Sequence, residues 1–116
     1  MTRRVEITVF NNTKHTMHVK RKELTHGKWR IAPVSVGPDE SLEFQAEKET
    51  GALYGVEGLV QYECDKGLFT VKFEKPYGKS NSYIKITDEH GVAVEVYGVI
   101  KTSEVISGTV KLEKTL

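Results

Sequence analysis

The side chains that could carry acid–base or metal chemistry in this chain are few and poorly arranged for it. Histidines stand at His15, His18, His26 and His90. His15 and His18 are three apart, so in an extended segment they point to opposite faces. Neither sits in a Cys-x-x-Cys or His-Glu-x-x-His arrangement of the kind that holds zinc. Cys64 is the only cysteine, so no intrachain disulfide can form, and its neighbours Glu63 and Asp65 disfavour a reactive thiolate. No Gly-x-Ser-x-Gly elbow, phosphate loop or dinucleotide fingerprint is present. No enzyme activity, metal or cofactor is expected.

The residues that suggest binding are different ones. Most carboxylates alternate with apolar residues, as solvated strand faces do, but Glu57 lies in the segment Gly55-Val56-Glu57-Gly58. It reads either as a half-buried, hydrogen-bonded brace or as a direct ligand contact. Tyr54, Tyr77 and Tyr83 fall in or beside the two stretches that lack alternation, and Trp29 follows the break at Gly27-Lys28. Tyrosine and tryptophan combine an apolar body with a polar tip, which suits water–lipid boundaries, headgroups and glycans. The competing reading is that they cap the end of a hydrophobic core.

The elements that must position these side chains are strands. Val5, Ile7 and Val9 alternate with polar neighbours before a turn at Asn11-Asn12-Thr13-Lys14. Met17 and Val19 continue the pattern, and after the break at His26-Gly27-Lys28 come Trp29, Ile31 and Val34. Gly37-Pro38-Asp39-Glu40 is a turn before Leu42 and Phe44, and the run 47–51 is a polar loop. A strand resuming at Leu59 ends at Cys64, and Asp65-Lys66-Gly67 turns the chain into Leu68–Phe73. The loop from Lys75 to Ser82 leads to Tyr83, Ile84 and Ile86, Glu89-His90-Gly91 turns into Val92–Val96, and the last strand runs from Val105 to Leu112. No amphipathic helix is legible. The pattern predicts an all-β, two-sheet antiparallel β-sandwich of eight or nine strands, in a single domain over residues 1–116.

Charge and composition narrow the function. With 17 basic and 16 acidic residues, the formal charge of +1 gives no field for nonspecific nucleic-acid binding. The run Lys20-Arg21-Lys22 reads as a solvated strand or turn face. No stretch of about 20 apolar residues could span a bilayer. Behind Met-Thr-Arg-Arg no apolar signal segment is visible, so the expected location is cytoplasmic, or outside the cell by a non-classical route, acting at a membrane surface.

The order of motifs resembles that of the aegerolysins, small β-sandwich proteins with the actinoporin-like haemolysin fold. The matching segments are Val5–Asn12, Gly27-Lys28-Trp29, Pro38 with Ser41–Ala46, Gly55-Val56-Glu57-Gly58, Tyr62, Pro76-Tyr77-Gly78-Lys79-Ser80-Asn81-Ser82-Tyr83, and Gly108-Thr109-Val110. The resemblance implies binding of a sphingolipid-type headgroup at one end of the sandwich, with Pro76, Tyr77 and Tyr83 in an aromatic loop and Tyr54 in the loop before Glu57. It also implies, as for some members, a role as the targeting component of a two-component, pore-forming cytolysin with a larger protein partner. Where the family commonly has Trp before Gly-Lys, this chain has His26, and its loops are poorer in tryptophan. It also enters its first strand within a few residues of Met1, without the amphipathic helix with which actinoporins make pores. Autonomous pore formation is therefore not expected. The candidate ligand-binding residues are His26, Trp29, Tyr54, Glu57, Pro76, Tyr77 and Tyr83. A glycan-binding lectin on the same fold is the alternative, favoured by the polar run Lys79-Ser80-Asn81-Ser82, and self-association through free strand edges is a third reading.

Overall fold

Alternating apolar residues, broken by glycines, set the architecture. The computed structural model, which describes residues 2–78 and 81–116, has nine strands. They are β1 (Arg4–Asn11), β2 (His18–His26), β3 (Lys28–Ile31), β4 (Ser41–Glu47), β5 (Val56–Cys64), β6 (Gly67–Lys75), β7 (Tyr83–His90), β8 (Val92–Lys101) and β9 (Val105–Thr115). A five-stranded sheet in the order β3-β4-β1-β9-β8 packs on a four-stranded sheet in the order β2-β5-β6-β7. All ladders are antiparallel except one: β1 and β9 run parallel, from Arg4 opposite Val105 to Asn11 opposite Leu112.

The two inner faces meet in one core. Val5, Ile7 and Val9 of β1 and Ile106, Val110 and Leu112 of β9 join Val60 and Tyr62 of β5 and Phe69, Val71 and Phe73 of β6. Each strand presents every second residue inward, so a sandwich needs no further pattern to bury them. The chain changes sheets at two single-residue corners, Gly27 between β2 and β3 (φ 107°) and Gly91 between β7 and β8 (φ 69°). Both need the left-handed backbone that glycine takes without strain.

At the end away from the aromatic loops, the predicted Asn turn is tied down from inside. Asn11 is fully buried; its Nδ2 donates to the carbonyls of His15 (2.7 Å) and Val36 (3.0 Å), and its Oδ1 accepts from the Thr13 amide (3.0 Å) and hydroxyl (2.7 Å). The basic run lies on β2, an outer strand of its sheet, where Lys20 pairs with Glu63 (3.4 Å) and Arg21 with Glu23 (2.8 Å). Exposed pairs of this kind add about 0–1 kcal/mol each, but their charges discourage edge-to-edge pairing.

The structure departs from the sequence reading at β5, which starts at Val56 and not at Leu59. Gly58 is therefore a strand residue. A Cβ there would lie 2.5 Å from the Glu23 carbonyl oxygen and 2.6 Å from Leu24 Cδ2, so glycine is what lets β2 approach. The last strand also runs past Leu112 to Thr115.

Candidate functional site

At one end of the sandwich the β4–β5 connection (48–55) and the β6–β7 connection (76–82) close over the outer face of the four-stranded sheet. Lys79 and Ser80 of the latter lie outside the described residues. Between the two connections is an open cleft of about 210 Å³. His26, Tyr54, Glu57, Pro76 and Tyr77 line it together with Leu53 and Glu74.

The floor is set by strand register. His26 of β2 lies opposite Glu57 of β5, Glu57 opposite Glu74 of β6, and Glu74 opposite Tyr83 of β7. Cross-strand neighbours share a face, so two carboxylates sit side by side between an imidazole and a phenol. Neither is among the ion pairs of the described residues. Their field is felt by Tyr83, whose phenol is pushed above the ordinary tyrosine range by burial first, then by Glu74 and Glu57. Glu57 is half-buried, and no side-chain hydrogen bond holds it among the described residues.

The walls are aromatic and held in place. The His26 and Tyr54 rings stack at 4.2 Å with planes 6° apart. Tyr77 is fixed from the other side: Arg3 Nε and Nη2 donate to its carbonyl at 3.3 and 3.1 Å, and the Arg3 guanidinium and Lys48 ammonium lie 5.2 and 5.5 Å from its ring centre. Gly55 joins the two loops. A Cβ there would collide with the Lys75 carbonyl oxygen and stand 2.8 Å from Tyr77 N. The rim is apolar and open to water, with Leu53 77%, Tyr54 63% and Tyr77 40% exposed.

Trp29 is not part of the cleft. It is half-buried in β3 and meets Phe44 (6.1 Å) and Phe73 (6.2 Å) edge-on, as part of the core's margin. Tyr83 joins the floor by register but does not line the opening, and Lys85 Nζ lies 4.7 Å from its ring centre. A larger recess of about 380 Å³ beside Thr2, Lys28, Glu47 and Lys48 has no aromatic wall. Ser35 Oγ and His18 Nδ1 approach to 3.5 Å at the opposite end, too long and too exposed to activate a hydroxyl.

Residues 2–114 match the family model of the aegerolysins. The chain belongs to the aegerolysin family. No curated protein matches the sequence. Similar solved structures include RahU in complex with a TRIS molecule (13% identity, TM-score 0.79, 95% of each chain). Another is the lipid binding protein Nakanori (15% identity, TM-score 0.74), which shares 93% of this chain and 69% of its own. A third is IP-1A from Alcaligenes faecalis (18% identity, TM-score 0.71, 96% of this chain and 91% of that one). At these identities the likeness establishes the shared sandwich and nothing finer.

Two cleft residues of this aegerolysin escaped the sequence reading. Leu53 gave no periodic signal, standing alone in a loop. Glu74 looked like any solvated strand residue; only the hairpin register through Asp65-Lys66-Gly67 places it against Glu57. Counting back along that hairpin could have paired the two.

Proposed function

We propose that this aegerolysin binds a membrane lipid through its headgroup, at the cleft between the 48–55 and 76–82 connections. The observation that carries this reading is the combination of two adjacent carboxylates on the floor, Glu57 and Glu74, with an exposed apolar rim of Leu53, Tyr54 and Tyr77. An ammonium-bearing headgroup would meet the carboxylates and the faces of Tyr54 and Tyr77, while the rim enters the boundary between headgroups and acyl chains. Family membership and the likeness to a lipid binding protein support it, and so does RahU's binding of TRIS, a small polyhydroxylated amine. In its finer form the ligand is a sphingolipid, and the chain is the targeting half of a two-component cytolysin.

The test is co-sedimentation with vesicles that differ only in sphingolipid and sterol content. Selective binding by the wild type that is lost in Tyr54→Ala and Tyr77→Ala supports the reading; equal binding to all compositions, or none, refutes it. Trp29 fluorescence is a poor reporter, because the indole packs against Phe44 and Phe73. For the finer form, dye-loaded vesicles that bind the chain should stay sealed until a pore-forming partner is added. A glycan-binding role is favoured only by polar loop residues, and a glycan array with hits and no vesicle binding would replace the lipid reading with it.

A further inference from the structure

Four inward-facing rows of the sandwich, those of β1, β4, β6 and β8, end on cations at the loop end. On β1 the buried run Val9, Ile7, Val5 continues by alternation to Arg3, and on β4 Phe44 and Ala46 continue to Lys48. On β6 Phe69, Val71 and Phe73 continue to Lys75, and at the end of β8 Lys101 lies opposite buried Ile106 of β9. At the other end the same rows finish on Asn11, Leu42, Gly67 and Val92, none of them charged. The basic collar is thus confined to one mouth of the core.

Lys75 is the centre of this collar. It is only 9% exposed, and its ammonium donates to the Thr102 carbonyl at 2.8 Å. An ammonium has three donors, and that of Lys75 makes no other hydrogen bond among the described residues. Burial, then the charges of Arg3 and Lys101, push it below the usual lysine range. Buried charges are normally paired. Yet none of Arg3, Lys48, Lys75 and Lys101 occurs among the ion pairs of the described residues, while nearby Arg4 and Lys28 both reach Glu47. The inward row of β9 would end at Glu104, and that carboxylate also takes part in none of these pairs. Arg3 and Lys101 act on Lys75 as like charges, and an anion bound among them relieves that repulsion.

We propose that Arg3, Lys48, Lys75 and Lys101 form a second binding site, distinct from the cleft, that takes a phosphate group. Several ammonium donors at the mouth of a core suit a tetrahedral, multiply charged acceptor better than a single carboxylate. The phosphate could belong to an anionic lipid headgroup or to a soluble phosphate compound. Tyr77 adjoins both sites, since it lines the cleft and carries Arg3 and Lys48 against its ring. On a membrane, the collar would engage an anionic lipid beside the one held in the cleft.

The full chain is titrated with inorganic pyrophosphate while backbone amides are followed by NMR. In parallel it is sedimented with phosphatidylcholine vesicles, with and without phosphatidylglycerol and free of sphingolipid. Pyrophosphate should shift the amides of Lys48, Lys75 and Thr102. Lys75→Met should weaken that binding roughly tenfold, the effect of one lost charge-assisted hydrogen bond. Exposed Lys101→Gln, which leaves the core untouched, should weaken it about fivefold. Tyr54→Ala should leave it unchanged. A gain from phosphatidylglycerol that falls with the same two variants supports a lipid source, and pyrophosphate binding without that gain supports a soluble one. The proposal is overturned if neither anion binds, or if binding survives both lysine variants. Anion binding and sphingolipid selectivity are read separately, so either assignment can fail while the other stands.

Discussion

Leu53→Ala offers a sharp test of membrane contact at the rim, because Leu53 has almost no structural duty. Its side chain is 77% exposed and stands outside the core cluster. Burying a leucine side chain fully is worth about 1.5–3 kcal/mol. With roughly three-quarters of it still in water, about 1–2 kcal/mol is available to a membrane, which converts to a roughly 5–30-fold loss of vesicle affinity on truncation. Folding stability should change by less than about 0.5 kcal/mol, as for other surface substitutions. The assay pairs vesicle co-sedimentation with thermal unfolding of the same preparations. A variant that binds vesicles as tightly as the wild type would refute insertion of the rim. A variant that unfolds several degrees earlier would show that Leu53 serves the fold.

Gly55→Ala should separate the two loops, since the new Cβ would collide with the Lys75 carbonyl and crowd Tyr77 N at 2.8 Å; a loss of about 1–3 kcal/mol with abolished selectivity is expected, by denaturant melts and sedimentation. Asn11→Ala removes both Nδ2 donations and leaves the buried Thr13 amide without its acceptor, while the Val36 carbonyl keeps the Met17 amide and the His15 carbonyl keeps the Thr13 hydroxyl, so a loss of about 1–3 kcal/mol with unchanged lipid selectivity is expected in the same assays. Burial pushes the Tyr62 phenol upward. Above pH 10.0, tyrosine's ordinary value, the folded state therefore keeps a proton that the unfolded chain releases, and stability falls as pH rises. Tyr83 and Tyr97 shift in the same direction. Tyr62→Phe should lie within about 1 kcal/mol of wild type at pH 7 and lose less stability across the alkaline range in melts at graded pH.

What the sequence reveals here is what can be read locally. The alternation of Val5, Ile7 and Val9, and the hairpin at Asp65-Lys66-Gly67, announce strands because side-chain direction repeats every two residues. The partner of β1 does not announce itself, since Val105 pairs with Arg4 only through tertiary packing. The start of β5 was hidden because two glycines imitate a loop, although Gly58 is there for the close approach of β2. The convergence of His26, Tyr54, Glu57, Pro76 and Tyr77 on one cleft follows family motifs, whereas Trp29 drew attention by residue type and lies at the core margin. Lys75 reads from the sequence as the first residue of the loop to Ser82, whereas β6 includes it. Its parity with Phe69, Val71 and Phe73 is the available clue, and the Pro76-Tyr77-Gly78 turn signal beside it masks that parity.

The parallel pairing of β1 with β9 has a consequence for how the protein is made. The strands at the heart of the five-stranded sheet are about a hundred residues apart, Arg4 facing Val105. On a ribosome, β1 can zip to β4 early, but its other edge stays open until β9 has emerged, and the apolar faces of both sheets wait with it. Contacts this distant in sequence slow folding, and an unpaired strand edge invites association between chains. The ninth strand to be synthesised therefore closes the sheet, and a nascent chain stalled before Val105 would be both unfinished and adhesive.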